Sequence, residues 1–206
     1  MCSLDKNTNK EVIVKRIFGM VLVTLMIIFL IIPAKAQMQK PHFNFLLGTS
    51  AFNVELSGLS GTFISPMAGL ELLYPYKTLE WGVTIKGYFV NEITLGFVPM
   101  VKFNLGKLYI KMGIGSDIPF MFRGGRAVFR KNSADIKEEL WIQPRMGGKI
   151  FNTGFFSVGV PAFGKSSIQI EAGFEWREFT QQWRINDEIQ IYRNSDIVGF
   201  VFRVIY

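Results

Sequence analysis

Charged residues recur at alternate positions inside otherwise apolar stretches, and their types suggest a few kinds of chemistry. Glu171 and Glu175 fall on one row of an alternating segment, as a paired-carboxylate hydrolase would need, but Arg177 on the same row points to neutralisation. His42 is the only histidine, so it alone could act as the imidazole base of a nucleophilic or lipid-cleaving site. Cys2 is the only cysteine and stands at the start of the chain. No cluster with metal-ligand spacing, phosphate loop or calcium loop is visible, and the Gly124-Gly125 pair is too short for a nucleotide motif. The chain is therefore expected to be no enzyme and to need no cofactor. Arg123, Arg126, Arg130 and Lys131 gather in the longest polar stretch, and arginine suits phosphate through paired hydrogen bonds.

The first 36 residues have the layout of a signal peptide. Lys6, Lys10, Lys15 and Arg16 form a basic start, Ile17 to Ile32 carry no charge, and Pro33 breaks the run before Ala34-Lys35-Ala36. Cleavage between Ala36 and Gln37 is expected, leaving 37–206 as one domain; an uncleaved anchor is the rival reading. Cys2 would leave with that segment, so neither a disulfide nor a thiol site is expected. The whole chain has 23 Lys and Arg against 16 Asp and Glu. Of these, 18 and 14 lie beyond residue 36, so much of the basic excess belongs to targeting and no nucleic-acid partner is implied.

Those charged rows must be positioned by strands. Asp196 to Tyr206 is apolar at every second residue, through Val198, Phe200, Phe202, Val204 and Tyr206, which fits a strand and no helix. Alternating segments recur at about 42–52, 63–74, 80–91, 94–105, 108–118, 138–150 and 167–179. Glycine, proline and polar residues separate them. Within 138–150 the apolar row is Leu140, Ile142 and Met146. Residues 151–165 are ambiguous and are taken as an extended turn or a continuation of the sixth strand, because an odd count would put the two termini on opposite sides. The predicted fold is all-β: an antiparallel eight-stranded transmembrane β-barrel following the signal peptide. Loops after strands one, five and seven are long and polar and are expected outside. His42 then stands at the inner mouth, on the wrong side for chemistry on outer-leaflet lipid.

A charge facing lipid near the midplane costs about 2–4 kcal/mol for a basic group, so the polar rows are expected to face the lumen. They collect Glu71, Lys86, Lys102, Lys111, Glu139, Arg145, Lys149, Glu171, Glu175, Arg177 and Arg203. Mixed signs in so narrow a barrel predict a network filling it. A narrow solute or ion path past Gly82, Gly113, Gly115 and Gly173 is the alternative. A soluble periplasmic lipid-binding barrel, with its apolar rows inward, is a third. Tyr74, Trp81, Trp176 and Tyr206 lie near strand ends, where aromatic girdles belong.

The run GLELLYPYKTLEWGVTIKGYFV, Gly69 to Val90, resembles the small outer-membrane β-barrel family common in Bacteroidota, which includes relatives of the PorT protein. The resemblance extends over about 43–206. It implies Sec-dependent export, residence in the cell outer membrane, insertion by the barrel-assembly machinery and a monomeric state. Phe200, Phe202, Val204 and Tyr206 would then act as a carboxy-terminal insertion signal. Independently of the resemblance, Arg123, Arg126, Arg130 and Lys131 stand where an outer loop would meet lipopolysaccharide phosphates, a solvated loop being the alternative. No catalytic residue is implied.

Overall fold

Alternation can bury one row of side chains only if the chain is extended, and from His42 onward the protein is built of strands. The computed structural model describes residues 40–89, 92–122, 126–133, 135–145, 149–162 and 167–206. The expected signal segment, with Ala36 and Gln37, lies outside these, as do Arg123, the Gly124-Gly125 pair and Met146. In chain order the strands are β1 (His42–Leu56), β2 (Leu59–Tyr76), β3 (Leu79–Tyr88), β4 (Glu92–Leu105) and β5 (Leu108–Phe122). They continue with β6 (Arg126–Asn132), β7 (Lys137–Pro144), β8 (Thr153–Pro161), β9 (Gln169–Ile185) and β10 (Glu188–Ile205).

Eight of the strands close a ring in the order β1-β2-β3-β4-β5-β8-β9-β10, every pairing antiparallel. The seam runs from Leu46 opposite Ile205 to Phe52 opposite Gly199. Below it, Phe45 and Tyr206 exchange both backbone hydrogen bonds, at 3.0 and 2.8 Å. Pro99 leaves its mark on the ladder. The β4–β5 pairing holds up to Phe97 and resumes at Met100, skipping the rungs where proline has no N–H to give.

The strands outrun the expected loops at one end. Residues 53–62 and 180–195 were expected to be polar loops, yet β1–β2 and β9–β10 continue through them to two-residue turns at Ser57-Gly58 and Asn186-Asp187. All four of these residues have positive φ, the conformation that matches the twist of a tight hairpin. The pattern explains the extension: Val54, Leu56 and Phe63 carry the inward apolar row past the ring, where it finds partners.

The sixth barrel strand differs from the expectation. β8 takes that place, while β7 pairs with β9 above it, from Phe179 to Ile185, and with β6. β7 and β8 thus lie one above the other in the same lane beside β9. Leu140 and Ile142, expected on the outer row, are instead buried with Phe52, Phe63, Phe179 and Ile197 in an apolar core above the ring. The Phe179 ring lies 5.1 Å from Phe52 and 5.8 Å from Phe63, edge to face. Burying each such side chain contributes about 1.5–3 kcal/mol, which is why these residues leave the wall. β8 has what the wall needs, with Phe155 and Ser157 inward and Phe156, Val158 and Val160 outward. Its Gly159 lies beneath the Tyr109 ring, which any Cβ there would overlap. We call the part above the ring, formed by β6, β7 and the ends of β1, β2, β9 and β10, the head. The opposite end is the turn end.

Candidate functional site

The inner row of every barrel strand meets the others along one axis, and the charged residues there form three linked groups. Nearest the turn end, Glu80 accepts a hydrogen bond from Asn104 Nδ2 at 2.6 Å. The same carboxylate lies 3.5 Å from Lys102 Nζ and 3.3 Å from His42 Nε2. Lys102 also sits 4.4 Å from the centre of the Tyr109 ring. The one histidine is therefore spent on a carboxylate at the barrel's mouth.

In the middle, Lys111 Nζ donates to both oxygens of Glu71, at 2.9 and 3.0 Å, and pairs with Glu171 as well. Arg203 Nη1 reaches Glu171 at 3.4 Å, and its guanidinium lies 4.2 Å from the Phe155 ring centre. Above this, Glu175 receives Lys86, the Tyr88 hydroxyl and the Ser50 hydroxyl. Arg177 Nε donates to Asp117 Oδ2 at 2.7 Å, with its guanidinium 3.8 Å from the Tyr88 ring centre.

Four acids (Glu71, Asp117, Glu171, Glu175) and four bases (Lys86, Lys111, Arg177, Arg203) are thus buried together, and their formal charges cancel. An ion without a partner in such surroundings costs several kcal/mol, so pairing is what lets these groups remain inside. Backbone shape makes the room. A Cβ on Gly96 would fall 2.9 Å from Lys86 Cγ and Cε, and one on Gly48 would fall 3.0 Å from Arg203 Cγ.

Glu71, Lys86, Lys102, Lys111, Glu171, Glu175, Arg177 and Arg203 all lie inside the ring. Glu139 and Arg145, grouped with them from the sequence, lie above it because β7 belongs to the head. Glu139 is buried there, accepting a hydrogen bond from Trp141 Nε1 at 2.7 Å and forming an ion pair with Arg130 Nε at 2.8 Å. Arg145 pairs with Glu178 on the outside, and Lys149 meets Asp196 at 2.6 Å. Arg126, Arg130 and Lys131 are exposed on β6. Asp117 and Glu80 were missed. Asp117 extends the row of Lys111, Gly113 and Gly115 by one step of two, so the period itself could have found it.

The paired carboxylates Glu171 and Glu175 share the inner face, but each is tied to cations, Glu171 to Lys111 and Arg203 and Glu175 to Lys86. Among the described residues no group of three or more His, Cys, Asp or Glu could hold a metal ion. On the head, a hydrogen bond from Lys137 to Asp187 at 2.8 Å holds the Asp187 carboxyl below its ordinary value and Lys137 above its own.

The outer face is the reverse of the inner. Phe43, Phe45, Ile85, Phe97, Phe174 and Phe200 are each more than 40 % exposed. Phe202 lies on the outer row of β10 and Tyr206 continues that row just past the strand's end, with half-buried Val204 between them. The molecule is an inside-out barrel, eight antiparallel strands with charge within and an apolar wall without. No protein-family model, no curated protein and no solved structure matches the chain.

Proposed function

We propose that the protein is an outer-membrane β-barrel with a structural or interaction role and a filled lumen. The observation that carries this is the inverted polarity of the wall: apolar side chains ring the outside while balanced charges occupy the inside. Water-soluble monomers rarely expose apolar patches beyond about 300–600 Å², whereas lipid requires such a surface. A soluble lipid-binding barrel would need its apolar row inward, where this chain carries ions. The Tyr74 and Trp81 rings, stacked 4.8 Å apart near the turn end, suit a membrane interface. The polar head then faces outward and the turn end faces the periplasm.

Two features favour a filled interior over a conducting one. Ion pairs occupy the lumen, and the head core lies above it. The chain would group with the small outer-membrane barrels of Bacteroidota that its sequence resembles, exported through Sec and inserted as a monomer. The exposed Arg126, Arg130 and Lys131 would contact lipopolysaccharide phosphates.

The test is mobility on a denaturing gel, with and without boiling, of protein extracted from purified outer membranes. A faster unboiled band supports the reading. A single band recovered from the soluble fraction refutes it. Conductance in planar bilayers then separates a filled barrel, which gives no steady current, from a narrow pore.

A further inference from the structure

β1 and β10 are zipped together for only part of their length. Their pairing ends at Phe52 and Gly199, yet β10 continues back to Glu188 and β1 forward to Leu56. Beyond the seam β10 pairs with β9 alone and β1 with β2 alone. Among the described residues no strand covers the facing edges. Because Tyr206 and Phe45 exchange both backbone bonds, the residues of β10 that aim N–H and C=O toward β1 are every second one from Tyr206. Past the seam these are Val198, Asp196, Asn194 and Tyr192, and all four are exposed. Asn53 and Glu55 are their counterparts on β1, also exposed.

An edge of this kind, with a row of backbone donors and acceptors, fits an extended polypeptide and little else. Its two sides define the chemistry of the occupant. Beside the gap on the inner face lie Val54 and Ile197, both buried members of the head core, which a strand with small apolar residues on one row would extend. On the outer face stand Glu55 and Asp196, of which Asp196 is met by Lys149, leaving Glu55 for a basic residue on the opposite row. We propose that the head binds another protein by strand addition, taking an extended segment that alternates small apolar with polar or basic residues along the Tyr192–Val198 edge of β10. This gives the interaction role proposed above its class of partner, and rests on it.

The probe is a synthetic, fluorescently labelled peptide of about seven residues that alternates valine with lysine and threonine. It is added to the full-length protein, folded in detergent and first shown to be heat-modifiable. The expected result is saturable binding that slows amide exchange at Tyr192, Asn194 and Asp196 at least about tenfold, the scale of one backbone hydrogen bond. Asn194→Pro deletes a single N–H on the open edge and none toward β9, so it should weaken the peptide by about the same factor. Asn194→Ala loses only the side-chain bond from Thr180, 2.7 Å long, and should bind as the parent does. The proposal is overturned if the peptide leaves exchange at these amides unchanged, if Asn194→Pro binds it equally well, or if the amides are already protected in a concentration-dependent way without peptide, which would assign the edge to a second copy. A heat-modifiable protein that ignores the peptide sinks this inference alone; failure of the gel test sinks the membrane reading first.

Discussion

Replacing Lys111 with methionine tests whether charge pairing holds the interior together. Its ammonium lies 2.9 Å from Glu71 Oε1 and pairs with Glu171, and it is completely buried. At the effective dielectric suited to protein sites, about 20, one such contact is worth about 6 kcal/mol of attraction before desolvation is counted. Breaking a buried pair on one side costs about 3–5 kcal/mol in practice, because the partner's charge stays behind. Here two carboxylates stay behind. Both touch the same Nζ, so they stand no more than about 6 Å apart and repel by about 3 kcal/mol, with Arg203 against Glu171 and the more distant Lys102 left to offset them. Lys111→Met should therefore lower stability by about 3–5 kcal/mol. Adding Glu71→Gln removes one of the stranded charges and leaves the Glu171–Arg203 pair, so the double variant should regain about 2 kcal/mol despite carrying one more substitution. The assay is the fraction of heat-modifiable band against urea concentration for the parent, both single variants and the double. A single variant within about 1 kcal/mol of the parent, or a double variant no more stable than Lys111→Met, would refute the reasoning.

Gly96→Val should cost at least about 2 kcal/mol, since its Cβ meets Lys86 while Glu175 and Thr153 hold that side chain in place; urea midpoints on the same gel measure it. Phe179→Ala should remove about 3–5 kcal/mol from the head core and expose the head to protease, while a protected barrel fragment persists. Asp187, lowered by its bond from Lys137, should steady the head hairpin above the ordinary carboxylate range, the effect fading as pH falls through the lowered value. Lys137, raised, contributes fully below the ordinary lysine value and loses its effect as pH rises through the raised one. Protection of the Asn186 amide, bonded to the Lys137 carbonyl at 2.9 Å, should thus be flat through neutrality and fall toward both extremes; Asp187→Asn should abolish the acid limb. Cells carrying Arg126→Gln, Arg130→Gln and Lys131→Gln together should become more sensitive to detergent with the barrel band unchanged, and unaltered sensitivity would argue against contact with lipopolysaccharide.

The sequence was most legible where one physical requirement acts alone. Along β3, Trp81, Val83 and Ile85 had to differ in polarity from Thr84 and Lys86, and the period of two assigned both rows. The skipped rungs at Pro99 followed from its missing N–H. Legibility failed where a second apolar environment competed with the first. Leu140 and Ile142 alternate as well as any wall residue, and nothing local distinguishes an apolar row that faces outward from one that enters a head core. Phe155 to Val160 lost its place in the ring for a related reason: parity favoured an even number of strands, and 138–150 had already taken the sixth position. The central ion pairs could be assigned to one interior but not to one another, because partners such as Lys86 and Glu175 are 89 positions apart and meet only through the closure of the ring.

That closure has a consequence for how the chain folds. The hairpins β1–β2 and β9–β10 each need only a two-residue turn, so they can form early and independently. The rung between Leu46 and Ile205, by contrast, joins residues at opposite ends of the described chain. Drawing so long a loop together costs on the order of 4–5 kcal/mol of chain entropy before any contact compensates. Arg203 and Glu171, on neighbouring strands of one hairpin, can meet before this step. Glu175 meets Ser50 and Lys86 only after it. The interior charges therefore stay hydrated until the last seam zips, and the same event that completes the ring strips their water. Partly closed forms keep wet ions and gain little, so the rate of assembly should be set by that one late, nonlocal step, and it should slow most in variants that weaken pairing across the seam.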